Sequence, residues 1–515
     1  MAAQKKNKKP SKKPSKKPSK KASQKSKAPA KAMKSGAGNG QLRIRMYRVG
    51  FGDFFLMTVP SAAGPQHILI DCGVTGGTTK KGDIGTIKDA VADMAEETGN
   101  KLALIIVTHR HQDHIVGFSR SAEIFQKFHG NVDAVWMSAW ENEYDPNEKK
   151  KKSLAANFQE ELTKMALGMQ QHLAASDDEP ENAEEIAAML ENATGISQAS
   201  LAAAGGAGPG KGKGGGSNAA SLEFLKEGTG AKPQYYAKGD KPTLPPALVK
   251  AGLTAEILGP PPTGDTDFMK LMDLKKGVGQ YLGAAGQGDG DDNVIDPGFG
   301  PQCCGDASQY PDSAFREWQR ANEKAPHQAL EAAIESAQPT SLFTAAKTLD
   351  SFLNNQSLVV LFTFKGKKLL FAGDAQGGNW EYWMFGGTPT KTPSLDKLEP
   401  ESKEILESLV FYKVGHHGST NATPMSAVEA MAKSFDAMCS TQFGAFGSVE
   451  NKSEVPRIPL IDALRDKSTL VRSDEFPVTI TGNEVAAVKG APKTIAKGKK
   501  GRFEVGPIYV DYFPG

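Results

Sequence analysis

The sequence has few cysteines and no long apolar run, and each absence excludes a class of protein. Cysteine occupies 4 of the 515 positions, and Cys303 and Cys304 are adjacent. So few cysteines provide no disulfide framework, which favours a cytoplasmic location. The densest apolar segments, residues 102–107 and 357–364, are far shorter than the ~20 residues of a membrane helix. The basic N-terminus also has no apolar segment of the kind that a secretory signal needs.

Acidic residues are missing from the start of the chain. Residues 1–34 contain fourteen lysines and no acid, so the net charge of +3 combines a basic tail with a body of net charge −11. A KKPS unit occurs three times between Lys8 and Ser19, and its prolines prevent a helix. We therefore expect residues 1–40 to be a disordered Lys-rich tail. The tail either contacts a polyanion such as nucleic acid or acts as a spacer; the lysines at the centre of the repeats are Lys12, Lys13, Lys16 and Lys17.

From Gln41 onward, strand and helix patterns alternate, which predicts an α/β (α+β) fold. The clearest strands are predicted at 42–49, 54–59, 67–70, 102–107, 409–414 and 435–440, and a helix is predicted at 119–128. Between 143 and 350 the pattern becomes irregular, with Gly-rich and long polar stretches that are typical of an insertion or cap. Within it, residues 255–262 are predicted to return to the scaffold as a core strand. The domain would thus consist of residues 41–142 and 351–515, separated by the insertion.

The strongest chemical signal is the run His109-Arg110-His111-Gln112-Asp113-His114, which follows the predicted buried strand 102–107. Three imidazoles and one carboxylate in six residues are a concentrated set of nitrogen and oxygen donors. A strand end holds such side chains in fixed directions. The run predicts a metal site that uses His109, His111, Asp113 and His114.

The HxHxDH pattern after an apolar strand resembles the metallo-β-lactamase superfamily, whose αββα four-layer sandwich holds one or two metals at the edge of its sheets. Three further signatures follow in the family's order: Asp71 in HILIDCG, Asp374 in KKLLFAGDA and His417 in VGHHGST. The segments VGFGDFFLM (49–57) and NNQSLVVL (354–361) are similar to the soluble domain of the ComEC-type DNA-internalisation competence protein. The resemblance covers about 42–140, 255–262 and 350–480.

The resemblance implies a metal-dependent hydrolase. His109 and His111 would bind one divalent ion, Asp113, His114 and His417 a second, and Asp374 would bridge them. Asp71 would support the site, and Asp113 and Asp71 would carry the catalytic roles. Zinc is the expected ion, with manganese or iron as alternatives, and a metal-bound hydroxide would be the nucleophile.

The branch resemblance and the lysine tail favour a phosphodiesterase or nuclease that acts on nucleic acid or a nucleotide. Hydrolysis of a small ester, lactone or lactam is a second hypothesis. A third is a polyanion-binding protein with a vestigial catalytic domain. The oligomeric state stays open.

One departure from the family concerns the first metal. The third histidine that most members contribute is missing, and residues 353–357 read LNNQS instead. A carbonyl of Asn354 or Asn355, or a water, would complete the shell, which would make this site weaker and more tolerant of manganese. The alternatives are the isolated histidines His129, His172 and His327.

Three further residues have two alternative roles each. His417 fits the family's loop better than His416, which would instead contact substrate or donate a supporting hydrogen bond. Ser419 either binds a phosphate oxygen or caps the next segment. Asp53, in a glycine turn, either faces the metals or bonds the amides of its own turn.

Overall fold

The computed structural model describes residues 40–75, 86–144, 153–175, 183–194, 218–263, 346, 349–387, 397–449, 453–475, 478–481, 484–487, 498–506 and 508–515. The predicted tail with Lys12, Lys13, Lys16 and Lys17 lies outside these residues, as do His327 and the side chain of His172. None of the described helices combines the length and the apolarity that crossing a membrane requires.

The described strands form two mixed sheets and a separate hairpin. In chain order they are β1 (Arg43–Tyr47), β2 (Phe54–Val59), β3 (Gln66–Cys72), β4 (Leu104–Val107), β5 (Val135–Ser138), β6 (Pro233–Tyr236), β7 (Leu253–Gly259), β8 (Val359–Phe364), β9 (Lys367–Phe371), β10 (Leu409–Lys413), β11 (Phe435–Cys439), β12 (Ser468–Arg472), β13 (Val478–Thr481), β14 (Glu484–Ala487), β15 (Gly501–Val505) and β16 (Tyr509–Pro514). The eight-stranded sheet has the order β15-β16-β1-β2-β3-β4-β5-β6, and the six-stranded sheet has the order β12-β11-β10-β9-β8-β7.

Each sheet contains a parallel part and an antiparallel part. Strands β3 to β6 are mutually parallel in the first sheet, and β9 to β12 are parallel in the second. The remaining neighbours pair antiparallel, for example β7 with β8. The carboxyl ends of parallel strands meet at one edge of a sheet, and loops that follow them are common ligand sites.

The helices connect and cover these strands. They are α1 (Ile87–Thr98), α2 (Gln112–Arg120), α3 (Ala122–Phe125), α4 (Leu154–Ala175), α5 (Ala183–Thr194), α6 (Asn218–Glu223), α7 (Pro246–Lys250), α8 (Gly377–Met384), α9 (Pro400–Glu407), α10 (Met425–Ala430) and α11 (Ile458–Lys467); residues 349–355 are also helical. Helix α1 begins with a capping box between Thr86 and Asp89 and ends at Gly99, whose φ of 61° is left-handed.

Buried apolar side chains form several clusters. The largest joins side chains of the two sheets, such as Met46 and Ile106 with Phe362 and Phe411. A second contains side chains of β1–β5 with those of α1, α2 and α3. A third contains side chains of β8–β12 with those of α8–α11. The predicted α+β class, with two mixed sheets and helices, is confirmed.

The described parts of the predicted insertion contribute to both sheets. Strand β7 overlaps the core strand predicted at 255–262, and β6 is an additional strand that the sequence pattern did not reveal. Helices α4 and α5 share an apolar cluster with Trp140 and with residues of the 349–355 helix. Residues 122–128 are helical, as α3 followed by a 3₁₀ turn at 126–128, which corresponds to the helix predicted at 119–128. Helix α2, which begins at Gln112 inside the histidine motif, was not predicted.

Basic residues alternate with apolar ones along β1, and they are buried. Arg43 and Arg45 each have 1% of their surface exposed. Arg45 donates to both carboxylate oxygens of Asp511 on β16, at 2.7 and 2.9 Å, and to Asp93 of α1 at 2.8 Å. These ion pairs tie α1 and the C-terminal strand to β1.

Candidate metal centre

The candidate site lies where parallel strands of both sheets end. Asp71 is near the end of β3, and His109 follows β4 by two residues. Asp374 follows β9, and His417 follows β10. Since each of these strands is parallel to its neighbour, their carboxyl ends bring together residues that are about 300 positions apart in sequence.

Asp71 orients His114. The main-chain N–H and the hydroxyl of Thr108 donate to the two carboxylate oxygens of Asp71, at 2.8 and 2.7 Å. Asp71 Oδ2 lies 2.8 Å from His114 Nδ1. A carboxylate in this position keeps the proton on Nδ1 and leaves Nε2 as the coordinating nitrogen. Asp71 thus contacts His114 through Nδ1, and Nε2 faces Asp374.

Four buried residues converge on one point. His114 Nε2 lies 3.0 Å from Asp374 Oδ2, and His417 Nε2 lies 3.0 Å from Asp113 Oδ2 and 3.3 Å from Asp374 Oδ2. One donor atom from each of Asp113, His114, Asp374 and His417 lies within 4.8 Å of all the others. His417 donates Nδ1–H to the carbonyl of Ser440 at 2.8 Å, so its Nε2 also faces this point.

His109 and His111 lie beside this group. The ring centroid of His109 is 4.2 Å from that of His114 and 4.5 Å from that of His111. Both side chains are buried, and neither Nε2 atom has a hydrogen-bond partner. A buried nitrogen with no partner costs free energy unless something binds it. These two atoms have the chemistry and the burial that a metal ligand needs.

The centre contains more buried negative charge than positive charge among the residues that contact it. Asp53, Asp71, Asp113 and Asp374 are all buried carboxyl groups. Lys413, on β10, contacts Asp53 and lies 3.6 Å from Asp374 Oδ1. Its pKa is raised because, although burial lowers it, Asp53 and Asp374 raise it more. Lys413 is therefore charged and balances one of the four carboxylates.

The nearby carboxylates raise the pKa of two histidines, His114 and His417. Burial alone would lower the pKa of His417, but Asp374 and Asp53 raise it from 6.5 to about 10. The pKa of His114 is also raised, against burial, by Asp374, Asp71 and Asp113. In return, and again against burial, His114 and His417 lower the pKa of Asp113 to about 2. In the metal-free site these protons supply the positive charge that a divalent ion would bring.

Close backbone packing holds the motif in place. At Gly73, any Cβ would clash with the main chain of Asp113 and His114, so only glycine allows α2 to approach the end of β3. Gly373 has φ +53°, and a Cβ there would lie 2.9 Å from Thr108 Cβ. These are the glycines of the signatures DCG and AGD. Because neither glycine has a Cβ, α2 can lie against the end of β3, and the loop after β9 can lie against Thr108.

The other predicted residues have varied positions. His416 is at the rim, with 21% of its side chain exposed and its Nε2 4.0 Å from Asp374 Oδ2. Ser419 contacts His416, with Oγ 2.7 Å from Nδ1. Asp53 faces the centre but pairs with Lys413. Neither of the two hypotheses for Asp53 included Lys413 as its partner.

The residues considered as replacements for the missing histidine have different contacts. Asn355 Oδ1 accepts from the main-chain N–H of Asn379, and exposed His129 contacts the Gly228 carbonyl. Asn354 donates to the carboxylate of Asp350 at 3.4 Å. Asp350, which lies 3.4 Å from His111 Nε2, was missed by sequence reasoning, because nothing in its local pattern marks it.

Lys413 was also missed, although its place at the end of the strand that precedes the two histidines was a usable signal.

The chain matches no protein-family model, and none of the curated proteins matches it.

Proposed function

We propose that the protein is a metal-dependent hydrolase whose substrates are phosphodiesters of nucleic acid or nucleotides. The observation that carries this proposal is the buried group of Asp113, His114, Asp374 and His417, with its donor atoms within 4.8 Å. Buried carboxylates and imidazoles at such distances are costly unless they bind an ion or each other. Their place at the carboxyl ends of parallel strands is also typical of active sites in α/β sheets.

The fold part of the proposal is the four-layer αββα sandwich of the metallo-β-lactamase type. It is supported by the three apolar clusters, because one lies between the sheets and the other two each join a sheet to helices. The long insertion includes α4 and α5, which would extend this sandwich beside the site.

The residues present fit a divalent ion. His114, His417 and Asp113 would hold one ion, His109 and His111 would contribute to a second position, and Asp374 would lie between them. Nitrogen and carboxylate ligands suit zinc, and they also suit manganese and iron. A bound ion would lower the pKa of a water and offset the charge that develops on the attacked phosphoryl oxygen.

The protein's own residues would orient substrate and move protons. His416 is on the exposed side of the cluster, so a substrate approaching from solvent meets it first. Its Nδ1 lies 2.7 Å from Ser419 Oγ, 3.1 Å from Asn421 Oδ1 and 3.4 Å from Gln376 Nε2. Because the Ser419 hydroxyl donates to Asn421, Ser419 Oγ accepts from Nδ1, which leaves Nε2 as an acceptor. Burial lowers the pKa of His416 below 6.5, so the ring is neutral at pH 7. We infer that His416 Nε2 accepts a proton during the reaction.

The substrate class rests on two features of the sequence, the lysine-rich tail and the resemblance to the ComEC-type domain. Full-length protein should hydrolyse bis(p-nitrophenyl) phosphate and single-stranded DNA when Mn²⁺ or Zn²⁺ is added. The Asp113→Ala variant should be inactive on both, which excludes a contaminating nuclease. Activity on a lactone but on neither phosphodiester would overturn the substrate class alone. Purified protein that binds no metal would overturn the whole proposal.

A further inference from the structure

We propose that Asp350 is the protein ligand that replaces the missing histidine at the first metal position, together with His109 and His111. The proposal rests on the metal centre of the proposed function and identifies a residue that its motifs do not contain. Asp350 is in the helical residues 349–355, at the end of the predicted insertion.

Asp350 and His111 lie close to each other. Asp350 Oδ1 lies 3.4 Å from His111 Nε2. Two donors at about 2.1 Å from a tetrahedral ion are about 3.4 Å apart, so this spacing suits a shared ion. The Nε2 atom of His111 is buried and has no hydrogen-bond partner, and the same holds for His109. An ion would satisfy both nitrogens at once.

Two neutral side chains hold the carboxylate of Asp350. Asn192 of α5 donates to Asp350 Oδ1 at 3.2 Å, and Asn354 donates to Oδ2 at 3.4 Å. Neutral amides aim the carboxylate without cancelling its charge, so it can still balance a cation. Asn192 also accepts from the main-chain N–H of Gln112 at 3.1 Å. One side chain of the insertion therefore contacts both Asp350 and the metal motif.

The side chain of Asp350 retains freedom to rotate. His109, His111 and Asp350 are not among the described groups whose donor atoms all lie within 4.8 Å of one another. Closing them on an ion therefore requires a side-chain rotation. Asp350 can make this movement because 22% of its side chain is exposed. A site with two histidines and one carboxylate also accepts Mn²⁺ or Fe²⁺ more readily than a site with three histidines.

The test is metal titration of the full-length chain, with bound Zn²⁺ and Mn²⁺ measured after equilibrium dialysis. Wild type should bind two ions, and Asp350→Asn should bind one of them at least about 100-fold more weakly, beyond the usual effect of a merely supporting residue. The control is Asp133→Asn, the same change at an exposed aspartate before β5, at the opposite edge of the sheet. It should bind both ions as wild type does.

The outcomes separate the two proposals. Wild type that binds no metal overturns the proposed function. Wild type that binds two ions, with unchanged affinities in Asp350→Asn, overturns the role of Asp350 alone. A crystal of the Mn²⁺-loaded protein provides a second measurement, because anomalous density within bonding distance of Asp350, His109 and His111 is expected. Density at His109 and His111 without Asp350 would also contradict the proposal.

Discussion

The two halves of the candidate metal centre are built differently. The half with Asp113, His114, Asp374 and His417 is buried and closed, and each of these residues follows a strand end or lies in the first turn of α2. Beside His109 and His111, Asp350 is partly exposed and is held by Asn192 from the insertion. The scaffold alone therefore places the donors of the first half, whereas the contacts of the second half depend on a segment outside the strand framework.

The largest effect is expected from the residue that both halves share. Asp374→Asn should reduce kcat/KM more than 100-fold, because a carboxylate between both positions is lost, and loss of a supporting residue alone already costs about 10–100-fold in metal affinity or activity. Hydrolysis of bis(p-nitrophenyl) phosphate, together with metal content, measures the loss. A variant that retains both ions and most of its activity would show that Asp374 does not connect the halves.

The next effect concerns the buried cation of the closed half. Lys413→Met leaves Asp53 and Asp374 without their lysine, and breaking a buried ion pair typically costs about 3–5 kcal/mol. Urea unfolding of the metal-free protein should show this loss. The double variant Lys413→Met with Asp53→Asn should recover part of it, because the uncompensated charge is removed. Equal stability of the single and double variants would contradict the pairing.

A pH effect should distinguish the metal-free and metal-loaded forms. The pKa of His417 is raised from 6.5 to about 10. Its protonated form therefore stabilises the metal-free fold fully below pH ~6.5, and this contribution is lost as the pH rises through 10. The melting temperature of metal-free protein should fall across this window, and His417→Gln should flatten the dependence. An unchanged slope in His417→Gln would assign the effect to another group.

The smallest effect is expected at Asn192. Asn192→Ala removes one of the amides that aim Asp350, so the ion at His109 and His111 should bind about 10-fold more weakly, as for other supporting residues. The ion in the closed half should be unaffected. Calorimetric titration of both ions checks this, and equal weakening of both would remove the distinction between the halves.

Local patterns predicted much of the scaffold. Strand β2 coincides with the predicted 54–59, and β10 and β11 match their predictions within one residue at the end, because their apolar runs are bounded by polar or glycine residues. The histidine run was visible for the same reason. Helix α2 was not predicted, because a helix that begins inside a polar motif has no apolar periodicity in its first turn.

The sequence also showed basic residues along β1 without showing their burial. Arg43 and Arg45 would usually be read as exposed, but their partners Asp93, Glu97 and Asp511 lie on other elements. Charge partners distant in the chain cannot be paired from a single sequence. The same limit applies to Lys413 with Asp53.

The sequence by itself determined the α+β class, the places of the main strands along the chain and the residue types of the closed half, because period and composition act over short segments. Only the tertiary structure decided which donors meet. Parallel strand ends bring Asp113 to within 3.0 Å of His417 across 304 positions, and an insertion helix holds Asp350 beside His111. Such contacts depend on how sheets and helices pack in space, which no local pattern encodes.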